Sequence, residues 1–194
     1  MSGSLNLQVG DVVLMRGRGF AGAVVRFFTR GIGEGRTRVS HAGLIVEGGP
    51  IDRCILVEAL HRVTRDGLWG RYGGSATDVA VYRPTDLGPE ERVVLAKKAE
   101  SYVGRRYGYM KILAHWLDWV LQGAYVFRRL ADEDRYPICS WVVAQSFAAV
   151  GKSFGVEAGA ATPDDIWDFV TARTDQYEPI VELGPLLVQP QNPA

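Results

Sequence analysis

The sequence predicts an α+β fold in which an antiparallel sheet packs against helices, and two observations carry that reading. Three apolar runs of strand length, His41-Ala42-Gly43-Leu44-Ile45-Val46, Ile55-Leu56-Val57-Glu58-Ala59-Leu60 and Val79-Ala80-Val81-Tyr82-Arg83, are separated by stretches punctuated with Gly, Pro and Asp. Strands spaced in this way, with no helix between them, read as antiparallel neighbours rather than as a doubly wound parallel sheet. From Pro89 onward the apolar spacing turns helical.

The elements follow in order. Gly10-Asp11 is a turn into a strand through Val12-Val13-Leu14-Met15-Arg16, after which Phe20, Val24, Phe27 and Phe28 recur at helical spacing. Thr29 to Ser40 holds three glycines and three arginines and reads as a basic loop. After the His41 strand, Gly48-Gly49-Pro50 marks a turn. Pro89 suits the first position of a helix through about Val103. Met110, Leu113, Ala114, Leu117, Val120, Leu121 and Ala124 trace one stripe of a further helix, and Ile112, Trp116 and Trp119 make it apolar nearly all round. A membrane span needs about 20 apolar residues, and Lys111, His115 and Asp118 interrupt this one. The segment therefore reads as a buried helix or a lid, with Trp116 and Trp119 as a surface for a hydrophobic ligand or partner. Pro137 introduces a helix from about Ile138 to Val150 that Gly151 ends, and Thr162-Pro163-Asp164-Asp165 is a capped start of another.

Length and composition bound what such a chain does. The 194 residues, 47% apolar and 23% charged, suffice for one domain, with a core at about 10–170 and a tail-like end at 185–194. Lys plus Arg equals Asp plus Glu at 22 each, which argues against a partner built of phosphate, so no nucleic acid is expected. The first residues, Met-Ser-Gly-Ser-Leu-Asn-Leu-Gln, have neither the basic nor the apolar region of an export signal, so the expected compartment is cytoplasmic. Two cysteines without that signal are expected as free thiols. Three histidines without HExxH or CxxC give no zinc signature, and neither a metal nor a cofactor is expected.

Three residues invite chemistry. Cys139 falls in the first turn of a helix, where unpaired N–H groups and the macrodipole favour a thiolate, although a small buried apolar cysteine fits the same position. His41 opens an apolar strand directly after the basic loop, which suits a base at a cleft rim as well as a structural histidine. Glu58 sits inside an apolar run, where an unpaired carboxylate costs several kcal/mol; it reaches solvent at an edge, pairs with an arginine, or orients an imidazole. Arg36 and Arg38 are placed to take a substrate carboxylate or simply to be solvated. Gly31-Ile32-Gly33-Glu34-Gly35 lacks the lysine and Ser/Thr of a phosphate loop.

Gly10-Asp11 before Val12-Val13-Leu14, Ser40-His41-Ala42-Gly43-Leu44-Ile45, Val57-Glu58-Ala59, Tyr107-Gly108-Tyr109, Cys139-Ser140-Trp141 and Thr162-Pro163 occur in an order that resembles the YiiX-like, circularly permuted NlpC-type papain-like family. The likeness runs from about Gly10 to Phe169. It implies a permuted papain-like fold, with Cys139 as nucleophile, His41 as base and Glu58 as its orienter. It further implies a cysteine hydrolase, an amidase or peptidase working through an acyl-enzyme on a peptide-like or acylated small substrate. Tyr107 and Ser140 are then candidate substrate contacts. Lipid acyltransferases and thioesterases share this fold, as would a noncatalytic binding protein that keeps it. A phage or host lysis route would bring an enzyme without an export signal to a cell wall.

Overall fold

The computed structural model describes residues 5–17, 38–106 and 138–186. The expected helix around Phe20–Phe28, most of the basic loop including Arg36, Tyr107, the apolar helix with Trp116 and Trp119, and the last eight residues lie outside the described residues.

A six-stranded antiparallel sheet forms the frame, in the order β6-β5-β3-β2-β7-β8. Its strands are β2 (Val12–Gly17), β3 (His41–Glu47), β5 (Ile55–Ala59), β6 (Val63–Gly67), β7 (Thr77–Pro84) and β8 (Tyr177–Pro185). The turn expected at Gly48-Gly49-Pro50 is instead partly a strand: β4 (Gly49–Pro50) pairs with β1 (Asn6–Leu7) in a separate ribbon. The helices are α1 (Leu68–Tyr72), α2 (Pro89–Glu100), α3 (Cys139–Ala148) and α4 (Pro163–Ala172).

Alternation along the strands sends side chains to two different cores. Val12, Leu14, Ala42, Leu44, Val57 and Ala59 face one side, where they pack with Leu95 and Ala99 of α2, Trp141, Val142 and Phe147 of α3, and Ile166 and Val170 of α4. Val13, Met15, Ile45, Leu56, Val79 and Val81 face the other, against Leu68 and Tyr72 of α1 and against Leu7. Both faces are covered, which explains why these antiparallel strands read as continuous apolar runs rather than as alternating ones.

Local chemistry sets the helix starts as the sequence implies. Thr162 Oγ1 accepts the backbone N–H of Asp165 at 3.1 Å while the Asp165 carboxylate accepts the N–H of Thr162 at 2.8 Å. Gly88 precedes α2, and its N–H is taken by Glu91 Oε2 at 2.7 Å, with Pro89 at the first helical position. Gly151 ends the turn after α3 with φ +73°, a left-handed conformation that favours glycine.

The core extends beyond the expected limit near residue 170. β8 joins the sheet beside β7, and Leu186 is buried, so the tail begins later than residue 185. β8 was hidden because Gly184, Pro179 and Pro185 interrupt an outward-facing edge strand, where proline is tolerated. Among the described residues no helix is long and apolar enough to cross a membrane.

Asp11, fully buried before β2, fixes the far end of the sheet. Its carboxylate accepts Arg83 Nε at 3.0 Å, Arg83 Nη2 at 2.8 Å and the N–H of Gln8 at 2.8 Å. Removing one partner of a buried pair strands the other charge. Asp11→Ala is expected to lower unfolding stability by about 3 kcal/mol, read from urea denaturation; an unchanged midpoint would show that the pair is dispensable.

Candidate active site

Three elements bring the candidate residues to one end of the sheet. β3 begins at His41, β5 runs antiparallel beside it with Glu58 next to its last residue, and α3 begins at Cys139. In the β3–β5 register Gly43 is the direct partner of Glu58. His41, two residues before Gly43 on the same strand, therefore lies on the same sheet face, diagonally across from Glu58.

Glu58 is 1% exposed, and its partners explain how a carboxylate tolerates that position. His41 Nε2 lies 2.7 Å from Glu58 Oε2, and the Tyr72 hydroxyl donates to the same oxygen at 2.5 Å. Arg71 Nε stands 3.4 Å from Oε1, and Arg71 also bonds Asp66. Burial by itself would raise the Glu58 carboxyl, but the bond and charge of His41, the Tyr72 hydroxyl and the Arg71 charge outweigh it and hold Glu58 below the ordinary carboxylate range. Burial and the adjacent carboxylate push the Tyr72 phenol up, so it stays a donor.

With Nε2 engaged by Glu58, Nδ1 is the ring nitrogen left for the thiol. Burial would push Cys139 up, yet the charge and hydrogen bond of His41 and the backbone N–H groups of Ala42 and Ser140 pull it below the ordinary thiol range. The converse holds for the imidazole: burial would lower it, but Cys139 and then Glu58 raise it well above its usual 6.5. The two touching groups are thus shifted in opposite directions, each by the other. Ile138 makes no side-chain cap to α3, so no cap competes with the sulfur for the first-turn N–H groups. His41 keeps 17% of its side chain exposed.

The second cysteine behaves differently. Cys54 is a free buried thiol that donates to the carbonyl of Ile51 at 3.3 Å, and burial pushes it up to about 11. The two thiols are thus shifted in opposite directions.

Of the expected substrate contacts, Ser140 lies in the first turn of α3. It is fully buried, and its hydroxyl has no hydrogen-bond partner among the described residues, because the second helical position turns into the core rather than toward the sheet end. Arg38 is exposed, and its backbone N–H donates to Asp164 Oδ1 at 3.1 Å, which ties the approach to β3 to the start of α4. Arg36 and Tyr107 lie outside the described residues. Tyr72 and Arg71 escaped the sequence reading because Gly67, Gly70, Gly73 and Gly74 surround them and disguise the short α1 as a loop. The one available signal was the need of Glu58 for a partner.

A comparison with solved structures aligns 95% of this chain with 89% of the metalloprotein YiiX from Escherichia coli O157:H7, at 21% identity and a TM-score of 0.52. The chain has a YiiX-like fold. No family model and no curated protein match it. The YiiX-like fold agrees with the coarse resemblance read from the sequence.

Gly43 is the most exacting position in this arrangement. A Cβ there would stand 2.8 Å from Leu56 Cδ1, 3.1 Å from the Val57 carbonyl oxygen and 3.3 Å from Glu58 Cβ. Gly43→Ala is expected to cost about 1–3 kcal/mol through overpacking and to slow alkylation of Cys139 by displacing Glu58. Thermal unfolding and alkylation rate check it; a wild-type value for both would show that the strands part without consequence.

Proposed function

We propose that this chain is a cysteine hydrolase of the permuted NlpC-type papain-like kind, an amidase or peptidase that transfers an acyl group through Cys139. The observation that carries the reading is the ordered contact of three residues: a cysteine on an uncapped helix start, against a histidine whose other ring nitrogen is held by a buried carboxylate. Chain order, His then Glu then Cys, is a permutation of the papain order, in which cysteine comes first, but such a site is defined by geometry.

The thiolate attacks the carbonyl carbon of a peptide-like amide or an acyl ester, and the oxygen takes the negative charge, with the Cys139 N–H as a donor. Collapse breaks the bond to nitrogen or oxygen, and the His41 imidazolium gives its proton to that leaving atom. Neutral His41 then takes a proton from water as the water attacks the thioester, and departure of the acid restores thiolate and imidazolium. Glu58 holds the ring with Nδ1 toward sulfur throughout and balances the imidazolium charge.

YiiX is described as a metalloprotein, and this raises the question of a metal here. Among the described residues no group of three or more His, Cys, Asp or Glu side chains is arranged to hold one. The Oε1 atom of Glu58, which has no hydrogen bond, faces the Arg71 cation, a poor neighbour for a second positive charge. Among the described residues the donor set does not fit a metal ion at this carboxylate, and no step above runs through one.

The pH dependence of iodoacetamide labelling tests the proposal, with Cys139 resolved from Cys54 by mass spectrometry. Wild-type Cys139 is expected to label with a pKa well below about 8.5, and His41→Ala to raise it, because burial is then opposed only by backbone N–H groups. A Cys139 that labels only in the ordinary thiol range, with or without His41, would contradict an activated pair.

A further inference from the structure

We propose that Tyr72 is a positioning residue of this site, holding the Glu58 carboxylate in the orientation that engages His41; the inference rests on the acyl-transfer reading above. Glu58 Oε2 has two donors, His41 Nε2 at 2.7 Å and the Tyr72 hydroxyl at 2.5 Å, so the phenol and the imidazole converge on one oxygen. Tyr72 ends α1, a helix of five residues whose apolar contact with the sheet is made by Leu68 and Tyr72 itself. The hydroxyl is thereby delivered from the opposite core to the one that carries Cys139.

A carboxylate two bonds from its Cβ rotates about its last torsion with little resistance. One hydrogen bond to the imidazole sets a distance but not the plane. The second donor to Oε2, with the Arg71 cation 3.4 Å from Oε1, fixes both oxygens. Among the described residues the charged and titratable groups facing Glu58 are His41 from β3 and Tyr72 and Arg71 from α1, with Asp66 of β6 behind Arg71 and Cys139 behind His41. Its partner across the β5–β6 pair is the uncharged Thr64. Tyr72 is thus the neutral donor of the set, able to orient the carboxylate without cancelling the charge that His41 uses.

Removing the phenolic donor destabilises charged Glu58, so its protonation moves to higher pH and His41 loses its counter-charge earlier as the solution is acidified. The test is the labelling profile of Cys139 in wild type, Tyr72→Phe, Glu58→Gln and the double variant. Tyr72→Phe is expected to move the acid limb up by about one pH unit, and to add nothing in the Glu58→Gln background, since the phenol acts only through the carboxylate. A wild-type profile in Tyr72→Phe, or an equal shift in both backgrounds, would overturn the proposal while leaving the His41-dependent reactivity of the wild type standing. Loss of that reactivity in the wild type itself would defeat the acyl-transfer reading and this proposal with it. Should Tyr72→Phe fail to fold, proton NMR of the wild type decides: a downfield, slowly exchanging Tyr72 hydroxyl supports the proposal, and a rapidly exchanging one overturns it.

Discussion

A carboxylate almost sealed from water sits in the second core of this protein, and the hydrogen bond between Glu58 and His41 is what makes it tolerable. An unpaired buried carboxylate costs several kcal/mol, so the surrounding structure is arranged around its compensation. Gly43 opposes Glu58 because a side chain there would collide with Leu56 and the Val57 carbonyl. Tyr72 and Arg71 arrive from the short α1 to complete the oxygens' partners. Tyr72 and Arg71 are explained by the buried charge, and Gly43 by the closeness of the strand that carries it.

The same bond links the two cores. Glu58 and Tyr72 belong to the face covered by α1, whereas Cys139 belongs to the face covered by α2, α3 and α4. A side chain in the middle of β3 could not serve both. His41, the first residue of β3, stands where the sheet ends, engages Glu58 through Nε2 and leaves Nδ1 for the thiol. The electrostatics follow from that placement: the imidazole is raised, the thiol and the carboxyl are lowered, and burial opposes all three shifts. Specific contacts, not solvent exposure, therefore set the direction of each shift.

Much of the frame was legible because it is written in short-range terms. Apolar runs gave β3, β5 and β7, the Thr162–Asp165 capping box gave α4, and Pro89 gave the start of α2. β6 and α1 were not legible, since Val63 to Tyr72 mixes charged residues and glycines without a clear period, and its order comes from pairing with β5 and packing under the sheet. β8 depends likewise on a neighbour distant in sequence. At the site, the anomaly of a glutamate among apolar residues pointed to a partner, and both an imidazole and an arginine, kept as alternatives on sequence grounds, contact it. The burial of Ser140 was not legible, because the resemblance that makes it a candidate substrate contact does not say which direction a helical side chain takes.

The central claim is that His41, held by Glu58, keeps Cys139 ionised at a pH where an ordinary cysteine is a thiol. Far-ultraviolet thiolate absorbance measures this without any reagent or substrate, as a pH titration of the wild type against Cys139→Ala, with Cys54 unchanged in both. The account predicts a difference signal of one thiolate already present below pH about 7, well under the free-cysteine value of about 8.5. A difference signal that appears only at or above that value would contradict it.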